Sequence, residues 1–254
     1  MIPKREPEVY KGSFQKILCV GGNQQMGGAI ILSSAAALHA GAGLVTVATC
    51  SENRSALHSR SPECLFVNMN QSEELAKAVQ ENEIILLGVI QQITDQQLII
   101  DADGLYWLAK FKNDFSHMSK QPILTPHLGE WQNLTQISPP ANDHQKNLTA
   151  QQSLAAYIIL KKHRTEILGF NNIWKNTTGN PSMATGGMGD VLAGVLASLI
   201  SQTTNLEDGL ISAVYVHSYA ADLLAKKQYV TLPSHVTEKI PFVMKQLTEL
   251  EEEI

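Results

Sequence analysis

A chain of 254 residues, 44% hydrophobic and 17% charged, has the composition of a globular protein in water and is long enough to bury one substantial core. Its formal net charge of -5 gives no basic face for nucleic acid, so a small molecule is the expected partner. Three cysteines, Cys19, Cys50 and Cys64, with no Cys-x-x-Cys and no Cys/His cluster at metal spacing, read as buried thiols in a reducing cytoplasm.

The opening MIPKREPEVYKG lacks an apolar run and predicts no secretory signal. The first predicted strand, 17–20, leads into GGNQQMGG and a helix over 29–40. A Walker loop would need Lys and Ser or Thr after its second glycine, and the dinucleotide spacing G-x-G-x-x-G is absent. The turn around Gly21, Gly22, Gly27 and Gly28 is therefore expected to serve close packing, or to let a substrate lie against backbone. The stretch 28–48 is the most membrane-like in the chain, but His39, two serines, Gly41 and Gly43 interrupt it, so it reads as helix, turn and strand.

Further strands are predicted at 43–49, 83–87, 98–100, 122–125, 166–168 and 172–175, and further helices at 73–80, 105–111 and 146–162. Two of the strands end in polar constellations. IIDADGL carries Asp101 and Asp103, acids that are costly at a buried strand end unless bonded to backbone, a cation or substrate. ILTPHLGE carries His127 in a turn, the position of a polar contact or proton carrier, with Thr125 as a competing helix cap. Residues 190–201, 206–226 and 233–252 read as helices, and no linker or repeat divides the chain, which predicts a single domain over 1–254. Strands alternating with helices predict a mainly parallel sheet whose ligands lie beyond the strands' carboxyl ends.

The most informative stretch, GNPSMATGGMGDVLAGVLASLI, joins a glycine-rich turn to an apolar helix. Such glycines let successive amides converge on one anion, and the helix adds its positive end. An acid there, Asp190, would repel a bound phosphate, so it is better suited to proton chemistry beside one.

The order of these motifs, GAxxLxxAAALxxGAGLVTVA, DADGL, LTPHLGE and above all GNPSMATGGMGDVLAG, resembles the ADP/ATP-dependent NAD(P)H-hydrate dehydratases of the ribokinase-like superfamily, from about Lys11 onward. The resemblance implies a three-layer α/β/α sandwich. It also implies the repair of NADH or NADPH hydrated on the nicotinamide ring: a nucleotide, ADP or ATP, phosphorylates the hydroxyl, and loss of phosphate restores the ring. Asp190 would take the hydroxyl proton, while the amides of Gly187, Met188 and Gly189 hold the phosphoryl group. Ala29 and His127, with Asp190, correspond to hydrate-contacting positions. Lys161, Lys162, His163, Arg164 and Thr165, with Gly189, correspond to nucleotide-binding positions. Magnesium on the phosphates, no membrane partner, a cytoplasmic location and a homo-oligomer complete the implication, with no metal ligand assigned.

Four departures stand against the family pattern. Gly88-Val89-Ile90-Gln91-Gln92 replaces a Gly-Pro-Gly-Leu-Gly turn, predicting loss of a substrate-side loop and helix; Lys162 replaces Gly after Lys161; Tyr10 replaces His before Lys11-Gly12; Leu128 replaces Pro after His127. Side chains at 162–164 would either obstruct the nucleotide segment or add charge to it. Two alternatives accompany the dehydratase: a degenerate nucleotide-binding relative, and a kinase of a vitamin precursor.

Overall fold

The computed structural model of the protein describes residues 2–3, 5, 7–87, 95–111, 120–138, 144–170 and 172–250. Within them the order is β1 (Ile17–Val20), α1 (Gly27–His39), β2 (Val45–Thr49), α2 (Arg54–Arg60), β3 (Leu65–Asn68), α3 (Ser72–Glu81), β4 (Ile84–Leu87), β5 (Gln97–Ile100) and α4 (Asp103–Phe111). There follow β6 (Ile123–Leu124), α5 (Leu128–Thr135), α6 (His144–Leu154), β7 (Tyr157–Leu160), β8 (Glu166–Leu168), β9 (Ile173–Lys175), α7 (Met188–Gln202), α8 (Leu206–Ala225) and α9 (Pro233–Leu250).

The strands form one sheet in the order β3-β2-β1-β4-β5-β6-β7-β8-β9. Pairing is parallel from β3 through β7, and β8 and β9 add an antiparallel edge. Central strands such as ILCV in β1 are buried at every residue, because in a parallel sheet both faces are covered. Successive side chains alternate between the faces. Ile17 and Cys19 pack with α1, α7, α8 and α9, and Leu18 and Val20 pack with α3, α4, α5 and α6. That is a three-layer α/β/α sandwich. Each fully buried Ile or Leu contributes about 1.5–3 kcal/mol. The chain leaves β1 toward β2 on one side and returns through β4 on the other, so the strand order reverses between β1 and β4, where a crevice opens at the carboxyl ends.

The expected helix over 146–162 is corrected. Helix α6 stops at Leu154, Ala155 turns left-handed with φ of 48°, and Tyr157–Leu160 is a buried strand between β6 and β8. A short apolar run has the same composition in a buried helix and a buried strand, and the turning residue is not the glycine that would have marked the break. Strand β3 escaped notice because it is a partly exposed edge strand, and α2 and α5 because each is only two turns long. The three cysteines are free and buried, as expected. Among the described residues no helix is long and apolar enough to cross a membrane.

Candidate active site

Helix α7 begins where the sequence places its glycines. Gly187 is the N-cap at φ of 91°, a conformation open to glycine and strained for other residues, and its missing Cβ would stand 2.6 Å from Leu32 Cδ1. No side chain caps this helix. Its first amides therefore have no acceptor within the helix and none from a capping side chain, and the positive end of the helix dipole stands behind them. Asp190 lies in this first turn, half-buried.

Three strand ends meet it. Asp101 follows β5 and is buried, with Ala102 after it at φ of 47°. Lys161 follows β7 and is anchored by its amide, which donates to the Pro126 carbonyl at 2.8 Å. Its ammonium donates to Asp101 Oδ1 at 2.7 Å, lies 3.9 Å from Glu130 Oε2, and is 3.3 Å from the point where a Cβ of Gly189 would stand. The cation that the acids at 101 and 103 demanded is thus Lys161 for Asp101, while Asp103 sits exposed in the first turn of α4.

His127 follows β6 as the N-cap of α5. Its Nδ1 accepts from the amides of Gly129 and Glu130 at 3.0 and 3.2 Å, while Glu130 Oε2 accepts from the His127 amide at 2.7 Å. Thr125 is not the cap; it is buried, and its hydroxyl donates to the Ile100 carbonyl. With Nδ1 engaged as acceptor, the ring proton of neutral His127 resides on Nε2, 3.5 Å from Glu130 Oε1. His127 is therefore placed to donate to a ligand rather than to take its proton.

Two cavities open along this wall. The larger, about 710 Å³, is lined by His127, Lys161, Thr165, Asn180, Gly187 and Met188 among others. The smaller, about 300 Å³, lies against the first glycine turn and is lined by Gly21, Gly22, Asn23, Ala29, Ser33 and Asp103 among others. Asp101, Ala102 and Asp190 belong to both. Burial first, and the charge of Asp101 second, push the Asp190 carboxyl up to about 6 against the opposing pull of Lys161. A carboxylate so tuned stays a base near neutral pH and binds a proton more strongly than an ordinary aspartate.

Ala29 and His127, expected together on the hydrate side, line different cavities: Ala29 the smaller and His127 the larger. Lys161, Lys162, His163, Arg164 and Thr165 all line the larger one. Two of the side chains at 162–164 are engaged elsewhere. Lys162 pairs with buried Glu166 at 2.9 Å, so its charge is already matched, and Arg164 takes φ of 61° and sends its guanidinium to the Thr177 carbonyl. The replaced Gly-Pro-Gly-Leu-Gly turn at 88–92 lies outside the described residues.

Some members of the site had no sequence signal. Asp222, a helix residue far along the chain, accepts from the Gly179 amide at 2.9 Å and from Asn180 Nδ2 at 2.6 Å and so fixes the loop before the glycines. His217 sits beneath that loop, fully buried and bonded to the Met188 backbone; burial holds its ring down to about 4, so it stays neutral. Only His217, Ser218 and Asp222, the polar interruptions of the apolar stretch 213–225, could have marked them.

A profile of the NAD(P)H-hydrate dehydratase family matches residues 17–242. The ADP-dependent (S)-NAD(P)H-hydrate dehydratase of Listeria monocytogenes is 40% identical over 267 aligned residues, covering 99% of this chain and 95% of that protein. The protein of the same description from Staphylococcus aureus is 40% identical, over 97% of this chain and 94% of its own. Among solved structures, a ribokinase-like superfamily protein from Enterococcus faecalis superposes with a TM-score of 0.91 at 35% identity, over 96% of this chain and 92% of that one. The ADP/ATP-dependent NAD(P)H-hydrate dehydratase of Bacillus subtilis, co-crystallised with ATP and Mg2+, shares the fold with a TM-score of 0.85 at 24% identity, over 96% and 94% of the two chains.

Proposed function

Because the chain belongs to the NAD(P)H-hydrate dehydratase family, we propose that it acts as one domain over residues 1–254 to restore hydrated NADH and NADPH, with ADP as phosphoryl donor and ATP as the alternative. The observation that carries this reading is the position of Asp190, a base candidate in the first turn of α7 that faces both cavities. The larger cavity has room for a nucleotide and the smaller for a single ring system, so a phosphoryl group crossing the shared wall passes Asp190.

In this reading Lys161 and residues 162–165 bind the nucleotide, and the amides of Gly187, Met188 and Gly189 face its terminal phosphate. The ring hydroxyl of the hydrate, held against Ala29, attacks the terminal phosphorus; its proton goes to Asp190, and the bond to the departing AMP breaks. In the second step the carbon–oxygen bond breaks with its electron pair leaving on phosphate, the adjacent ring carbon gives up a proton to the departing phosphate, and the carbon–carbon double bond re-forms. General base help commonly supplies about 10²- to 10⁴-fold, and preorganised amides add roughly 3–4 kcal/mol per donor.

Among the described residues no group of three or more His, Cys, Asp or Glu is arranged to hold a metal ion. Magnesium would enter with the nucleotide as its counter-ion and would neutralise charge on the transferring group. Coenzymes as substrate and donor place the work in the cytoplasm. Self-association belongs to the same reading, and the exposed apolar rings of Tyr229 and Phe242 supply surface for it.

The test is to mix purified protein with hydrated NADH, magnesium and ADP or ATP and follow the return of NADH absorbance. Recovery that falls at least about 10²-fold in Asp190→Asn supports the proposal. No recovery with a nucleotide-dependent rise in Tm points to the degenerate binder, and accumulation of a phosphorylated alcohol to the kinase.

A further inference from the structure

The role of the second acid on the shared wall, Asp101, is assigned by none of this. It lines both cavities, as Asp190 does, but it is more buried and its Oδ1 is committed to the Lys161 ammonium at 2.7 Å. Its Oδ2 lies 3.9 Å from where a Cβ of Gly189 would stand, so the pair is wedged against the residue before Asp190. We propose that Asp101 is a positioning residue of this site: it holds the Lys161 ammonium beside the α7 amides, where the phosphoryl group arrives, and keeps it from pairing with Asp190. The proposal rests on the dehydratase reading for the role of the phosphoryl group, and on geometry alone for the division of charge along the wall.

Three observations favour this over a purely structural bridge. A buried carboxylate followed by a left-handed alanine carries two stability costs that an apolar residue and a glycine would avoid. The Lys161 ammonium has a second carboxylate, Glu130, at 3.9 Å on the side of α5, so two acids on elements other than α7 draw it to one place. Of the other charged or titratable groups that line the cavities, exposed His163 reaches only the larger one. Lys162 is on Glu166, Arg164 on the Thr177 carbonyl, His127 caps α5, and buried His217 is uncharged near neutral pH. Asp103 reaches only the smaller cavity. With Asp101 neutralised, the Lys161 ammonium is left between Glu130 at 3.9 Å and Asp190, and an ion pair with Asp190 would lower the basicity of the proton acceptor and take the ammonium out of the path of the phosphate.

The decisive experiment is a carbon-13 NMR titration of the Asp190 carboxyl in ligand-free wild type, Asp101→Asn and Asp101→Glu, joined to kcat and KM for hydrated NADH and ADP. The wild-type midpoint is expected near 6. In Asp101→Asn it should drop by roughly one pH unit, with the acid limb of kcat/KM moving alongside, while Asp101→Glu, which keeps the charge, stays near the wild-type midpoint. The kcat of Asp101→Asn should fall about tenfold or more, and the same substitution made in Lys161→Met should add little further loss, since the ammonium it positions is gone. An Asp190 midpoint unmoved in Asp101→Asn, whatever the rate does, overturns the proposal, as does full additivity of the two losses. Should Asp101→Asn fail to fold, a midpoint displaced in Asp101→Glu as far as one pH unit would overturn it equally. The titration needs no hydrate, so a wild type that restores no NADH refutes the dehydratase reading and leaves the division of charge to be judged by the midpoint.

Discussion

Two glycine-rich turns bound the site, one before α1 and one before α7, and they differ in what their amides meet. Before α1, Asn23 Oδ1 accepts from the amides of Gln25 and Met26, both at 2.9 Å, and Asn53 Nδ2 donates to the Gly22 and Asn23 carbonyls. That turn is strapped to β2 through Thr49, whose hydroxyl donates to the Gly22 carbonyl at 2.8 Å. Neither α1 nor α7 is capped by a side chain, and the first turn of α7 carries an acid that α1 lacks. Glycine content alone does not make an anion site. An anion binds where the amides have been left without an internal acceptor, and proton chemistry is possible where a partly desolvated acid stands beside them.

The contrast can be broken by two parallel substitutions. Gly187→Ala places a methyl group 2.6 Å from Leu32 Cδ1 at φ of 91° and must shift the turn that aims the amides, so kcat should drop by about 10²-fold with a smaller change in KM for the hydrate. Gly22→Ala, at φ of 74° with Ile30 Cγ2 2.6 Å away, should instead raise KM for the hydrate and lower stability by roughly 1–3 kcal/mol while kcat changes little. Similar kinetic signatures from the two would show that the turns share one job.

Stability sharpens the same contrast. The folded-state pKa of Asp190, about 6, lies above the ordinary aspartate value of 3.8, so folding retains a proton that the unfolded chain releases. The resulting penalty is absent below about pH 3.8, grows as pH rises through that window and is complete above about 6. Asp190→Asn, the variant that loses turnover, should therefore gain stability at pH 7.5, on the order of 1 kcal/mol after allowing for partial exposure, and the gain should vanish toward pH 4 in denaturant melts. A loss of stability at pH 7.5 would mean that the carboxylate is a structural partner. The smallest effect belongs to His127. His127→Ala should cost about 1 kcal/mol through the lost cap of α5, and His127→Asn should retain most of that stability while weakening ligand affinity, because asparagine caps but does not reach the cavity as the ring does.

How much of this was legible in the sequence followed physical rules of visibility. The α7 turn was readable because glycine, helix and acid are adjacent in the chain, and their chemistry depends on local backbone. The demand of Asp101 for a partner was readable from burial, but its partner was not: Lys161 was placed at the end of a helix, and only the left-handed break at Ala155 converts YIIL into strand β7 and brings the lysine to the mouth of the sheet. His127 reads as a turn residue with Thr125 as a competing cap, and only coordinates reveal which side chain faces the amides. Asp222 and His217 are paired with the site across long sequence separations, through helix packing that no local pattern encodes.

The division of labour across one wall is tested most directly by the electron density of crystals grown with AMP and soaked with hydrated NADH. The account predicts the adenylate in the cavity lined by residues 161–165 and the hydrated ring in the cavity lined by Gly22 and Ala29, with its hydroxyl within hydrogen-bond reach of the Asp190 carboxylate. Both ligands in one cavity, or a hydroxyl turned away from Asp190, would contradict it.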